Sequence, residues 1–204
     1  MATLADLRTR LSMELRDTGN DTWSVAEVDD LINQGIDALA DVYPKEIVQT
    51  IGTISAGVLS YAASSYSRVY RLDLYTSAGS YRTEIPHGYG SANSGWELHG
   101  GVIYLPPSYA YPTGDTIRAF GYGRYVQLSA ATQTTDLASE GIYAVLVFAQ
   151  SEAYSRLISD RVKFQQWQAN SNATDTTALG LAQVATASAR RWEAEQRRLR
   201  RLRK

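Results

Sequence analysis

The sequence predicts an α+β protein: a four-helix bundle-like body, an inserted antiparallel β-sheet or sandwich, and a long C-terminal helix or arm. Three observations carry this. Apolar residues recur at helical spacing over residues 3–44 and again from about residue 135. Residues 46–128 change to short β-branched and aromatic runs separated by Gly, Ser, Pro and Asn. The last fifteen residues, RRWEAEQRRLRRLRK, carry seven Arg and one Lys against two Glu. The expected domains are a helical body at 1–45 and 130–170, an inserted β domain at 46–129, and a C-terminal helix with a basic docking end at 171–204.

Leu4, Leu7, Leu11 and Leu15 define the first helix, with Thr3 as its N-cap and Asp6 three residues on. The stretch DTGND (17–21) ends it, since Gly and Asn tolerate left-handed backbone. The second helix has the clearest local signal. Ser24 and Glu27 form a capping box, and Trp23 and Val28 are spaced as a hydrophobic staple. Val28, Leu31, Ile32, Ile36 and Leu39 make one apolar stripe, which Pro44 stops. Gly35 costs the middle of this helix about 1 kcal/mol relative to Ala and permits close packing.

The runs EIVQTIGTISA, SRVYRLDLY, YRTEIPH, WELHGGVIYLPP and DTIRAFGYGRYVQL read as about five strands. Gly100 and Gly101 in LHGGVIYL sit where a tight hairpin turns. Most of the fourteen tyrosines lie here, which predicts a tyrosine-rich, partly wet sheet face.

The third helix is read in TTDLASEGIYAVLVFAQSEAYSRLISD, with Leu137, Val145, Leu146, Ala149, Ala153 and Leu157 near one face. Its centre, IYAVLVFA, is apolar nearly all round, as a buried core helix is. NSNATD (170–175) is a polar turn. In the final helix Ala178, Leu181, Ala185, Trp192, Leu199 and Leu202 fall on heptad-like a and d positions, interrupted by Ser188 and Glu195.

Composition excludes several classes. There is no cysteine, so no disulfide or thiolate metal site exists. The N-terminus lacks a signal-peptide pattern and no window approaches eighteen apolar residues, so an intracellular, soluble chain with no membrane partner is expected. His87 and His99 have no second ligand at metal spacing. The two GYG triplets, 88–90 and 121–123, lack the setting of a phosphate loop and read as hairpin or bulge glycines. Asp29, Asp30, Asp37 and Asp41 could supply a glycosidase carboxylate pair, but an acidic exposed helix face is the ordinary reading. No Ser lies in a G-x-S-x-G turn. Neither an enzyme nor a cofactor is expected.

The basic end remains. It carries +6, whereas the other 189 residues hold 12 basic against 19 acidic groups, or −7. As a nucleic-acid contact it would neutralise phosphates without regard to sequence. As a plain helix end, its arginines would complement the helix dipole. The stripe through Trp192, Leu199 and Leu202 favours a third reading, a helix that docks into an apolar groove while its arginines pair with acidic groups.

TLADLRTRLSMELRDTGNDTWSVAEVDDLINQGIDALADVYP and IRAFGYGRYVQLSAATQTTDLASEGIYAVLVFAQSEAY resemble the head-to-tail adaptor, or connector, proteins of tailed double-stranded-DNA bacteriophages. The shared features are a first helix, a short Gly/Asp loop, a Trp-Ser capped second helix, and a strand leading to a TTDLP-like turn. Ala138 stands where a proline is common. The resemblance implies a structural virion protein at the head-tail junction, assembled in the host cytoplasm. Such proteins form a homo-oligomeric ring, usually a dodecamer, beneath the portal. They extend the channel for genomic DNA and present the surface for tail or nozzle proteins. In several members the C-terminal segment reaches up along the portal. The portal-binding residues expected here are therefore Arg190, Arg191, Trp192, Arg197, Arg198, Leu199, Arg200, Arg201, Leu202, Arg203 and Lys204. The alternative is a sequence-independent DNA-binding or DNA-retaining protein acting through the same helix.

Overall fold

The computed structural model describes residues 2–88, 95–107, 110–171 and 177–202. The chain divides into two compact units, Met1–Tyr43 with Tyr125–Lys204, and Pro44–Arg124. The α+β class holds, with the helices in the first unit and antiparallel sheets in the second.

The helical unit opens with α1 (Leu4–Glu14) and α2 (Val25–Val42). Both capping boxes form. The Thr3 hydroxyl accepts from the Asp6 amide at 3.2 Å and the Asp6 carboxylate accepts from the Thr3 amide at 2.8 Å; Ser24 and Glu27 repeat the exchange at 3.3 and 2.9 Å. Trp23 and Val28 are both buried in one core. In the turn between the helices the left-handed residues are Arg16 and Asn20 rather than Gly19. Buried Asp17 ties that turn down by accepting from the amides of Asp21, Thr22 and Trp23.

The all-round apolar run becomes α3 (Ser139–Ser159), which packs against α1, α2 and the last helix. Asp30 bonds to Arg156 and Gly35 lies against Val145, so α2 and α3 run antiparallel. A Cβ at Gly35 would stand 2.8 Å from the Val145 carbonyl oxygen, so glycine sets how closely these helices approach. Five helices form where four were expected. Asp160 interrupts the run with extended backbone, and its carboxylate accepts from the amides of Val162 and Lys163, each at 3.0 Å. That starts α4 (Arg161–Asn170). The Trp167 indole donates to the Leu15 carbonyl at 2.8 Å, and Lys163 pairs with Glu27 while lying 4.2 Å over the Trp23 ring. The fifth helix, α5, spans Ala178–Leu202.

The second unit has a four-stranded sheet of order β1-β7-β3-β4 and a three-stranded sheet of order β2-β6-β5. The strands are β1 (Lys45–Thr53), β2 (Ser60–Ala62), β3 (Arg68–Tyr75), β4 (Tyr81–Ile85), β5 (Glu97–His99), β6 (Val102–Tyr104) and β7 (Thr116–Gly123). All adjacent pairs are antiparallel. β2 is missing from the sequence reading because three residues are too few to show a period. The β5–β6 hairpin turns at Gly100 and Gly101, with φ of 56° and 77°, as a two-residue primed turn requires.

In β7 Ile117, Ala119, Gly121 and Gly123 alternate inward. The two glycines are GYG 121–123, and a Cβ on either would overlap a neighbouring carbonyl oxygen, that of Arg68 or Ser65. In the other triplet, Tyr89 and Gly90 lie outside the described residues. The sequence run continued to Leu128, yet the strand stops at Gly123. Tyr125 and Leu128 belong to the helical unit, where the Tyr125 hydroxyl donates to the Tyr43 carbonyl and Asn33 clasps the Leu128 backbone at 2.9 Å in both directions.

The outer face of the larger sheet is aromatic and arginine-rich. Arg71 lies 5.1 Å over the Phe120 ring and Arg118 4.3 Å over that of Tyr75. Tyr70 packs on Tyr122 and donates to the Glu46 carboxylate at 2.7 Å, a bond that pushes its phenol up to about 12.

Candidate functional site

The basic end of α5 is fixed by how that helix packs. Leu181, Ala185, Ser188, Glu195 and Leu199 are buried, with Trp192 half-buried between them. The steps alternate four and three residues, so Ser188 and Glu195 continue the heptad seam instead of interrupting it. The seam lies along α3: Leu157 and Ile158 line one hollow with Ala178 and Leu181, and further along α5 Trp192 meets Phe148 edge-on at 5.3 Å. The two helices therefore run antiparallel. Glu195 is accommodated because Arg198, one turn on, bonds its carboxylate at 2.5 and 2.8 Å.

This arrangement divides the expected docking residues. Leu199, 1% exposed, belongs to the chain's own core, and Trp192 packs against that core. The stripe offered to a partner's groove is covered by α3, because a helix apolar nearly all round needs apolar neighbours on several sides. Arg198 is held by Glu195. Arg190, Arg191, Arg197, Arg200, Arg201 and Leu202 are exposed, Leu202 at 58%. Arg203 and Lys204 lie outside the described residues. Arg191 faces Glu14, whose carboxyl is raised by desolvation against the opposing pull of that guanidinium.

The structure also exposes two apolar side chains beside this end, Met13 at 61% and Tyr143 at 55%. Sequence reasoning passed over both. Met13 sits off the Leu4–Leu7–Leu11–Leu15 stripe, which was the available signal, whereas Tyr143 lies inside an apolar run taken as buried and gave none.

The sites weighed for chemistry resolve into structural contacts. Asp29 takes a bidentate bond from Arg8 at 2.5 and 2.6 Å, Asp30 pairs with Arg156, and Asp37 accepts from Gln127 at 2.7 Å. These carboxylates join α2 to its neighbours. His99 contacts Glu97 at 3.1 Å, and exposed His87 meets the Trp96 ring edge-on. Among the described residues no group of His, Cys, Asp and Glu could hold a metal ion, and no helix is long and apolar enough to cross a membrane.

The family model for SU10 adaptor protein matches residues 2–202, which takes in both units and the described length of α5. No curated protein matches the chain. The capped helix pair, the β unit between α2 and α3, and the basic terminal helix thus fall within one family pattern, and the chain belongs to the SU10 adaptor protein family, the structural head-tail adaptors of bacteriophages.

Proposed function

We propose that this protein forms a ring, a dodecamer on the resemblance, that binds the portal, extends the channel for genomic DNA and provides the attachment surface for tail or nozzle proteins. It works as a virion component at the head-tail junction after assembly in the host cytoplasm. The observation that carries the portal contact is the exposed basic end of α5 on an otherwise acidic helical unit. Outside residues 190–204 that unit holds six basic and fourteen acidic residues, or −8, against +6 in the end itself. Arg190, Arg197 and Arg201 are spaced to share the side of α5 turned away from its seam. Arg200, Arg203, Lys204 and Leu202 extend the same docking end.

Removing residues 190–204 would be a poor test, because it also removes Leu199 and Trp192 from the core. The better variant combines Arg190→Glu, Arg197→Glu and Arg201→Glu in the full chain. Its binding to the portal protein is expected to fall at least about tenfold, or 1.4 kcal/mol, with unchanged thermal unfolding. Unchanged binding would remove these arginines from the portal contact.

The same outward row favours a second reading, sequence-independent DNA binding. That reading requires the isolated protein to bind duplex DNA with an affinity that drops steeply as salt rises. Failure to bind at low salt discards it.

A further inference from the structure

Two rows of charge in the helical unit share one spacing with opposite sign. Arg190, Arg197 and Arg201, all exposed, follow the side of α5 turned away from its seam. On α2, Asp30, Asp37 and Asp41 follow the side turned away from the Val28–Leu31–Ile32–Ile36–Leu39 stripe. In each row the second and third members stand seven and eleven residues after the first. That is roughly 10.5 and 16.5 Å along either axis.

Both rows keep a surplus of charge. On the basic side three guanidinium groups stand with one carboxylate, Glu193, and Arg197 gives its Nε–H to the uncharged Glu193 carbonyl. On the acidic side Arg156 is divided between Asp30 and Glu152, and Asp37 accepts from the uncharged Gln127. A carboxylate accepts about four bonds, so these contacts leave Asp30 and Asp37 able to take a guanidinium as well. Asp41 is exposed. Apart from the reach of Arg156 to Asp30, neither row is used in packing α2 or α5 on α3.

We infer that the acidic row on α2 of one copy lies against the basic row on α5 of the next, as the contact between neighbours in the ring. The inference rests on the ring reading above. Such a contact is heterologous, one surface against a different one, so it repeats from copy to copy and closes by rotation. α2 and α5 each run antiparallel to α3 and therefore parallel to each other. The small rotation between neighbours of a many-membered ring keeps the next α2 nearly parallel to α5. Only that direction matches the rows member by member, since reversal sets a step of seven against a step of four. Asp30 then meets Arg190, Asp37 meets Arg197 and Asp41 meets Arg201. Gln34 stands opposite Ala194, Asn33 opposite Glu193 and Ala26 opposite Thr186, so no like charges oppose.

Exposed pairs add little energy singly, but three in one order select the neighbour, its direction and its height. Each guanidinium has five N–H donors, so a portal segment lying over the junction of two copies reaches the same arginines.

The test uses the full chain, alone and on the portal protein. Arg197→Glu with Arg201→Glu, and separately Asp37→Lys with Asp41→Lys, should raise the concentration at which rings form at least about tenfold, read by sedimentation and electron microscopy. A chain carrying all four changes should regain rings. So should a mixture of the two altered chains, which a folding defect in either would prevent. In addition, Arg197→Lys keeps the charge and admits zero-length coupling by carbodiimide. Coupling is expected to join position 197 to Asp37 between isotope-labelled and unlabelled copies. Rings indifferent to both pairs of changes overturn the inference and leave the ring standing, as does coupling within one chain or to another part of the neighbour. Loss of rings that neither the mixture nor the fourfold change restores also overturns it. If the unmodified chain forms no ring in either setting, the inference and the ring reading fall together.

Discussion

The helical unit and the β unit are built from the same chain by different physics. The helical unit packs mainly Leu, Ile, Val and Ala around Trp23, Tyr154 and Trp167 and is polarised outside, with −8 on its body and +6 on its end. The β unit carries six basic against five acidic residues and ten of the fourteen tyrosines. One unit separates its charge along its length. The other pairs charge locally, over aromatic rings and in bonds such as Arg71–Asp73 at 2.7 Å and Arg82–Asp115 at 2.6 Å. A nearly neutral face of Tyr and Arg has the make-up of a protein contact surface, whereas the charge-separated unit acts over a distance that salt shortens.

Leu199→Ala attacks the comparison most strongly. If α5 is core rather than arm, the substitution costs about 2–5 kcal/mol in urea unfolding followed by helical circular dichroism. Leu202→Ala, three residues on and exposed, stays within about 0.5 kcal/mol. Equal small effects at both positions would mean that the seam does not hold α5 to α3.

Close backbone approach is a device both units share. Ala at Gly35 or at Gly121 crowds a facing carbonyl, and each should destabilise by about 1–3 kcal/mol. A difference well beyond this range between the two would show that the helices yield where the strands cannot, or the reverse.

Alkaline titration separates a surface tyrosine of the β unit from a more buried one of the helical unit. Tyr70 and Tyr125 are both pushed up to about 12, Tyr70 by its bond to Glu46 and Tyr125 by burial. Each is raised above the unfolded value of about 10, so its stabilising contribution is complete below that pH and is lost as pH rises towards 12. In ultraviolet titration Glu46→Ala should return Tyr70 towards 10 and leave Tyr125 in place. Movement of both would contradict the separate causes.

The smallest expected change is a gain. Ala138 precedes α3 with φ of −69° and no side-chain cap, a backbone proline adopts without strain. Ala138→Pro should stabilise by about 0.4–1 kcal/mol, read as a slight rise in melting temperature.

Features written within one turn of chain were legible beforehand. The Thr3–Asp6 and Ser24–Glu27 boxes, the Gly100–Gly101 turn and the stop before Pro44 depend on neighbours a few residues away. Gly35 was legible as a packing position, although its partner Val145 was not. What required three dimensions was harder to see. A heptad stripe looks the same whether its holes belong to this chain or to another, so Trp192 and Leu199 were assigned outward. α4 went unread: the third run ended at Asp160, beside the observed end of α3, and the hydropathy of residues 161–169 shows no apolar stripe to mark a separate helix. Met13 on α1 and Tyr143 on α3 line one hollow although they stand 130 positions apart in the chain, and no local pattern connects them.

The seam of α5 also acts as a ruler. A sliding step of one heptad, about 10 Å, would keep every apolar row facing α3. The rows are not interchangeable, however: Ala185, Trp192 and Leu199 occupy successive places in one row, and Leu181, Ser188 and Glu195 in the other. After such a slip an indole would have to enter a space shaped for a methyl group or an isobutyl group, and Glu195 would fall where serine or leucine belongs. The order of volumes thus permits a single alignment, and it fixes the distance of every arginine from Phe148 along the axis of α3.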